Sequence, residues 1–215
     1  MRLNQYVARS TGLSRRAADN VISEGKVTVN GTIPTAGQQV ATGDEVRYND
    51  QIINIAEATI IMLHKPVGYV CSRDGQGSPT IYELLPESLH ELKPIGRLDK
   101  NTSGLLLLTN DGTLANQLTH PKFEKTKVYE VNLHKPLVVH DRAQIEQGIM
   151  LEDGVSKIQL NGRRNGWIVT MHEGRNRQIR RTFAALGYKV KRLHRIKFGK
   201  YQLGSLKVAN YSVLC

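Results

Sequence analysis

An aspartate stands in the string Gly96-Arg97-Leu98-Asp99-Lys100-Asn101-Thr102-Ser103-Gly104, two residues after an arginine and shortly before four consecutive leucines, Leu105 to Leu108. A carboxylate held at a polar turn beside a cation has the makings of a nucleophile. Arg97 offers it a counter-charge, and Asn101, Thr102 and Ser103 offer donors that hold the turn. Taken alone, an Arg-x-Asp more often caps a turn or pairs with a surface base. A further stretch could carry chemistry: Gly174-Arg175-Asn176-Arg177-Gln178-Ile179-Arg180-Arg181 sets four arginines within seven residues. Other chemistries find no footing. The histidines are scattered, with no His-Glu-x-x-His, so no metal site is expected. The loop Asp74 to Pro79 is glycine-rich but lacks the lysine of a phosphate-binding loop. No second carboxylate is placed to activate water as a hydrolase would need.

These residues need a rigid frame. Leu105 to Leu108, bounded by Gly104 and by Asn110-Asp111-Gly112, predict a central strand buried on both faces, with Asp99 at its edge. Asp111 to Leu118 reads as a short capped helix ending before Pro121. Lys125 to Val131 alternates as a strand carrying Tyr129, although a tyrosine in a strand is most often a packing residue. Trp167 to Met171 predicts another strand, followed by a helix that runs on through Phe183, Ala184 and Leu186 to Gly187. Arg177, Arg180 and Arg181 then fall on one side of it. Lys189 to Lys197 alternates so as to put its basic side chains on one face. At the start of this region, Ile60 to Leu63 forms a strand, and the Lys65-Pro66 turn leads into a second strand through Val70.

The first 57 residues read as a unit of their own. Leu3, Tyr6, Val7 and Ala8 share a helical face; Ser14 caps a second helix with Ala17, Ala18, Val21 and Ile22 inward, ending at Gly25. Short strands follow at Val27 to Val29, around Gln39-Val40, and at Glu45 to Tyr48, with a turn at Asn30-Gly31. No Gly/Pro/Ser-rich linker joins the units, so a short hinge is expected between a domain at 1–57 and a second at 58–215.

The formal charge of +11 and a pI near 9.8 imply a polyanionic partner, nucleic acid rather than membrane, since no basic amphipathic helix has a wholly apolar face. The charge is concentrated. From Arg163 to Lys207 there are thirteen Lys/Arg against one acid, Glu173, whereas residues 1–57 carry six of each sign. Such a concentration is an electrostatic footprint for phosphates. The N-terminus has no apolar core of a signal peptide, which predicts a cytoplasmic protein. Cys71 and Cys215 are too few and too far apart for a disulfide framework or a Cys-x-x-Cys site.

The string from Gly96 to Gly112 resembles the catalytic motif of the pseudouridine synthases of the RsuA/RluB/RluE/RluF family, whose Gly-Arg-Leu-Asp carries the essential aspartate. Lys65-Pro66-Val67-Gly68 resembles the element that opens that family's catalytic domain, and Lys127-Val128-Tyr129 matches its Lys-x-Tyr. The string Gly174 to Arg181 looks like its third motif. Residues 1 to 54, with Ser14-Arg15-Arg16, Gly25-Lys26-Val27 and Asn30-Gly31, resemble the small RNA-binding module first known from a small-subunit ribosomal protein.

The resemblance implies an α/β (α+β) chain: a small helix-helix-strand RNA-binding domain, then a catalytic domain with a mixed, mainly antiparallel sheet flanked by helices packed on one side. It implies uridine isomerisation in ribosomal RNA without a cofactor. Asp99 would attack the sugar or remove a proton from it, Arg180 would pair with Asp99, Tyr129 would stack on the base and Ile179 would line its pocket. RNA contacts are expected from Arg97, Arg175, Arg177, Gln178 and Arg181, and in the small domain from Arg9, Arg15, Arg16 and Lys26. The string Asn176 to Arg181 is closer to the large-subunit (23S) branches than to the small-subunit (16S) branch. Alternatives are a 16S enzyme and a non-catalytic ribosome-assembly factor. A monomer is expected.

Overall fold

The computed structural model describes residues 1–123 and 125–214, so the expectation for Cys215 lies outside the described residues. The chain forms two compact units, Met1–Thr59 and Ile60–Cys215.

In the first unit, α1 (Leu3–Thr11) buries Leu3 and Val7 and stops at Gly12, whose φ of 75° is left-handed. The Ser14 hydroxyl accepts a hydrogen bond from the Ala17 amide and so opens α2 (Arg15–Ser23). Strands β1 (Val27–Val29), β2 (Val46–Tyr48) and β3 (Gln51–Ile52) form an antiparallel sheet. Asn30 and Gly31 both take positive φ, the conformation a two-residue hairpin turn demands. Leu3, Val7, Ala18, Val27, Val29, Val40 and Val46 make the core. The strand expected at Gln39-Val40 is reduced to a single bridge from Gln39 to Arg2.

The second unit is built on β4 (Ile60–Lys65), β5 (Lys93–Pro94), β6 (Ser103–Thr109), α3 (Gly112–Thr119), β7 (Lys127–Leu133), α4 (Val139–Gln147), β8 (Ile149–Leu151), β9 (Gly154–Ser156), β10 (Gln159–Arg163), β11 (Gly166–Met171), α5 (Gln178–Ala184), β12 (Val190–Phe198), β13 (Tyr201–Gln202) and β14 (Tyr211–Leu214). The main sheet runs β10-β11-β7-β12-β6-β4-β14, with β13 beside β12 and β5 beside β6; β8 and β9 form a separate hairpin. The β6–β12 pairing is parallel, and the other pairings of this sheet are antiparallel.

Strand β6 sits centrally, and its leucines alternate between two cores. Leu106 and Leu108 join Ile61, Leu63, Val131, Leu193, Ile179 and Phe183 on one face, while Leu105 and Leu107 join Leu118, Phe198 and Leu203 on the other. All four are fully buried. Each contributes roughly 1.5–3 kcal/mol by leaving water, which anchors the turn that precedes them.

Three expectations change. Helices cover both faces rather than one: Ile145 of α4 and Phe183 of α5 pack into the first core and Leu118 of α3 into the second. The segment after Lys65-Pro66 is not a strand, because Pro66 has no amide to donate and Gly68 takes φ 94°; Val70 makes only a bridge to Thr80. Strand β12 does not alternate, since its register shifts between Val190 and Arg192 and again between Arg195 and Lys197, and Leu193, His194 and Arg195 are buried in succession. Its basic side chains therefore do not share one face.

Candidate active site

The Asp99 turn is fastened from beneath. Thr102 donates its amide to the Asp99 carbonyl at 3.0 Å, and Gly68 donates to the Lys100 carbonyl at 2.8 Å. Lys65 is wholly buried at the end of β4, and its Nζ donates to the carbonyls of Thr102 at 2.8 Å, Pro66 at 3.0 Å and Asp99 at 3.2 Å. Three acceptors match three ammonium protons. The Cys71 thiol brackets the residue before the aspartate, accepting from the Leu98 amide at 3.4 Å and donating to the Leu98 carbonyl at 3.3 Å.

Burial pushes the Lys65 pKa down to about 8, against the pull of Cys71 and Asp99. A base whose folded pKa lies below its unfolded value makes the unfolded chain the better proton binder between the two. Stability from this group therefore rises with pH from about 8 towards its ordinary value of 10.5, and the cost of the buried charge is carried in full below about 8. Urea titrations across that window should show wild-type stability rising relative to Lys65→Met; parallel profiles would contradict the assignment.

Asp99 opens into a cleft of about 780 Å³, whose walls include Arg97, Tyr129, Leu193 and the segment Glu173 to Ile179. Tyr129 lies in register between Val169 of β11 and Arg195 of β12, with 8 % of its surface exposed. Ile179, buried on α5, also lines the cleft. Arg177, the residue before α5, takes a left-handed conformation with φ 46°, and its Nη1 lies 3.5 Å from Asp99 Oδ2. Arg97 is exposed at the rim.

The partner of Asp99 is thus Arg177 and not Arg180. Arg180 sits a turn into α5, beside backbone rather than carboxylate: its Nη1 donates to the Val190 carbonyl at 2.9 Å and its Nη2 to the Asn101 carbonyl at 2.7 Å. It ties β12 to the Asp99 turn. Burial and the nearby Arg177 charge lower its pKa, with Asp99 opposing.

Arg175 and Arg181 also differ from expectation, for Asp153 takes both. Arg181 reaches its carboxylate at 2.6 and 3.0 Å, and Arg175 reaches it at 2.9 Å while donating to the carbonyls of Asp153, Gly154 and Val155. The Arg181 guanidinium holds the Asp153 carboxyl below its usual range. Gln178 is buried, accepting from the Arg175 amide at 3.2 Å and donating to Ser156 Oγ at 3.1 Å. The β8–β9 hairpin is therefore wired to the segment that presents Arg177.

The model of the RNA pseudouridylate synthase family matches residues 59–185, and that of the S4 domain matches residues 1–56. The chain belongs to the RNA pseudouridylate synthase family. Among its relatives, the ribosomal large subunit pseudouridine synthase B of Bacillus subtilis is 37 % identical, the match covering 95 % of this chain and 88 % of the relative. The ribosomal small subunit pseudouridine synthase A of Haemophilus influenzae is 38 % identical over 100 % of this chain and 96 % of its own. A pseudouridylate synthase of known crystal structure superposes with a TM-score of 0.72 at 36 % identity, covering 100 % of this chain and 96 % of that one. The family's members are isomerases.

Of the residues that the resemblance singled out, Arg97, Asp99, Tyr129, Arg177, Gln178 and Ile179 line one cleft, whereas nothing in the sequence pointed to Asp153 or to the threefold engagement of Lys65. In the S4 unit, Arg15 and Arg16 are exposed at the start of α2 and Arg9 is half-buried, whereas Lys26 pairs with Glu24 at 2.7 Å. Among the described residues no helix is long and apolar enough to cross a membrane, and no three His, Cys, Asp or Glu side chains converge for a metal.

Asp153→Ala should release Arg181 to bind a phosphate, while Arg175 stays held by the carbonyls of Asp153, Gly154 and Val155 and by Glu173. The plot of log affinity for RNA against log salt should then steepen by about 1, given roughly 0.7–0.9 per phosphate contact. An unchanged slope would show that Arg181 stays withheld without Asp153.

Proposed function

We propose that this chain converts uridine to pseudouridine at a fixed site in ribosomal RNA, and in the large subunit's RNA on the grounds of the Asn176 to Arg181 string. The observation that carries the reading is the Asp99–Arg177 approach of 3.5 Å at a cleft walled by Tyr129 and Ile179. Residues 1–57 serve as the RNA-binding domain, with Arg9, Arg15, Arg16 and Lys26 towards RNA, and residues 58–215 as the catalytic domain.

The target nucleotide leaves its stack at a cost of a few kcal/mol, offset by backbone contacts of the basic C-terminal third. Tyr129 stacks on the uracil and Ile179 closes the pocket. Asp99 acts on the ribose, by attack on C1′ or by removal of a sugar proton, with Arg177 holding its carboxylate in aim. The bond from C1′ to N1 breaks with its electron pair going to the base. The base turns and C5 joins C1′, which expels the Asp99 carboxylate on the first route and is accompanied by return of the proton from Asp99 to the sugar on the second; the C5 proton departs to solvent and N1 takes one up. Atoms balance without a cofactor.

The second reading, a small-subunit RNA target, is supported by the H. influenzae relative's identity of 38 % over the whole of this chain. Transcripts of both ribosomal RNAs, labelled with tritium at uridine C5 and cut into fragments, separate the two. Release is expected from one large-subunit fragment; release from a small-subunit fragment alone would select the second reading.

A further inference from the structure

The floor of the cleft holds polar groups that the fold leaves unused. Arg195 and Thr102 both line it, exposed by only 3 % and 2 %. Arg195 Nε donates to the Leu105 carbonyl at 2.8 Å, and its guanidinium lies 4.9 Å from the centre of the Phe198 ring. Yet Arg195 Nη2 and Thr102 Oγ1 have no hydrogen-bond partner among the described residues. No carboxylate pairs with Arg195 there either: Asp99 faces Arg177 and Glu173 faces Arg175. Lys65 and Lys127, whose own charges lie near, already donate to backbone carbonyls. Burying a guanidinium with donors to spare costs several kcal/mol, and a fold retains such a group where a ligand completes it.

The backbone is shaped around this residue. Arg195 stands opposite Gly104 across the parallel β6–β12 junction and opposite Tyr129 across the antiparallel one. The register of β12 shifts directly after it, before Lys197. A bulge at such a place re-aims a side chain. Arg195 thereby comes between the strand that follows the Asp99 turn and the strand that carries Tyr129.

We infer that Arg195, with Thr102 beside it, forms the donor floor of the base pocket and binds a carbonyl oxygen of the flipped uracil. This rests on the isomerase reading above. Uracil presents two carbonyl oxygens and one N3–H, which a guanidinium donor and a threonine hydroxyl complement. When the bond from C1′ to N1 breaks and its electron pair stays with the base, negative charge spreads onto O2 and O4. A fixed guanidinium in a water-poor floor stabilises that charge more than it stabilises bound uridine, and so raises turnover rather than affinity.

A chemical double-mutant cycle tests this. Arg195→Met keeps the side chain's bulk and removes its donors. Isomerisation of transcripts made with uridine, 2-thiouridine or 4-thiouridine is followed by nuclease digestion and chromatography of the nucleosides. Arg195→Met is expected to lower kcat about 100-fold with KM for RNA unchanged, as loss of one oxyanion donor does. Sulfur at one of the two positions should slow the wild type about tenfold and the variant not at all, since the partner is already gone. A kcat within threefold of wild type, or equal slowing of both proteins by both sulfurs, would overturn the proposal. Should Arg195→Met fail to fold by circular dichroism, Arg195→Lys carries the same cycle, keeping the charge while displacing the donors. A wild type inactive on every ribosomal RNA fragment would defeat the isomerase reading itself, and this proposal with it; an active wild type with additive losses defeats this proposal alone.

Discussion

Asp99→Asn is expected to bind ribosomal RNA within threefold of wild type and to isomerise it at least about 10⁴-fold more slowly, the scale of loss when a residue of a catalytic unit is removed. Asparagine keeps the size of the side chain and accepts on one oxygen, but it carries no charge for Arg177 at 3.5 Å and is no nucleophile or base. The fold should be indifferent, because what holds the turn is backbone. Lys65 grips the carbonyls of Asp99 and Thr102, Cys71 grips Leu98, and Gly68 grips Lys100. None of those bonds uses the carboxylate. A thermal midpoint unchanged beside a turnover that vanishes would separate chemistry from support; a variant that lost both would mean the carboxylate is structural.

Gly104→Ala should cost the fold heavily for a single methyl group. A Cβ there would stand 2.2 Å from the Arg195 carbonyl oxygen, 2.6 Å from its amide nitrogen and 2.9 Å from its carbonyl carbon, on a residue with φ of 109°. All three atoms are backbone, so no rotamer change gives relief. The parallel β6–β12 pairing must open or the left-handed φ must be strained, and the loss should be about 4 kcal/mol. For a protein of this size that lowers the midpoint by roughly 10 °C. Gly112→Ala is the control, since nothing lies within 4 Å of a Cβ there and the residue opens α3 at an ordinary φ. Alanine at 112 should leave the midpoint within about 2 °C, given its better helix propensity. If Gly104→Ala melts like Gly112→Ala, the close crossing of β6 and β12 is wrong.

The fold was legible where a local pattern has one cheap solution. Four leucines in a row cannot face water on either side, so Leu105 to Leu108 declare a central strand, and a polar turn before it declares where Asp99 stands. Ser14 likewise marks a helix start by its own chemistry. Pairing across the site was not legible. The resemblance implied Arg180 as the partner of Asp99, but the helix begins only at Gln178, and Arg177 turns left-handed before it, which swings the earlier arginine to the carboxylate. Asp153 lies 22 residues from Arg175 and 28 from Arg181 on a separate hairpin, and no periodicity spans such a gap. The alternation of Lys189 to Lys197 hid two register shifts, and with them the burial of Arg195. A basic run read as a phosphate face thus contains arginines that hold a hairpin, a turn and the pocket floor.

The most direct measurement follows tritium released to water from ribosomal RNA labelled at uridine C5, with excess enzyme, for the wild type and Asp99→Asn side by side. Release from the wild type should level off at one uridine per RNA molecule, with none above background from the variant. Equal release by both proteins, or none by a wild type that binds the same RNA, would contradict the account.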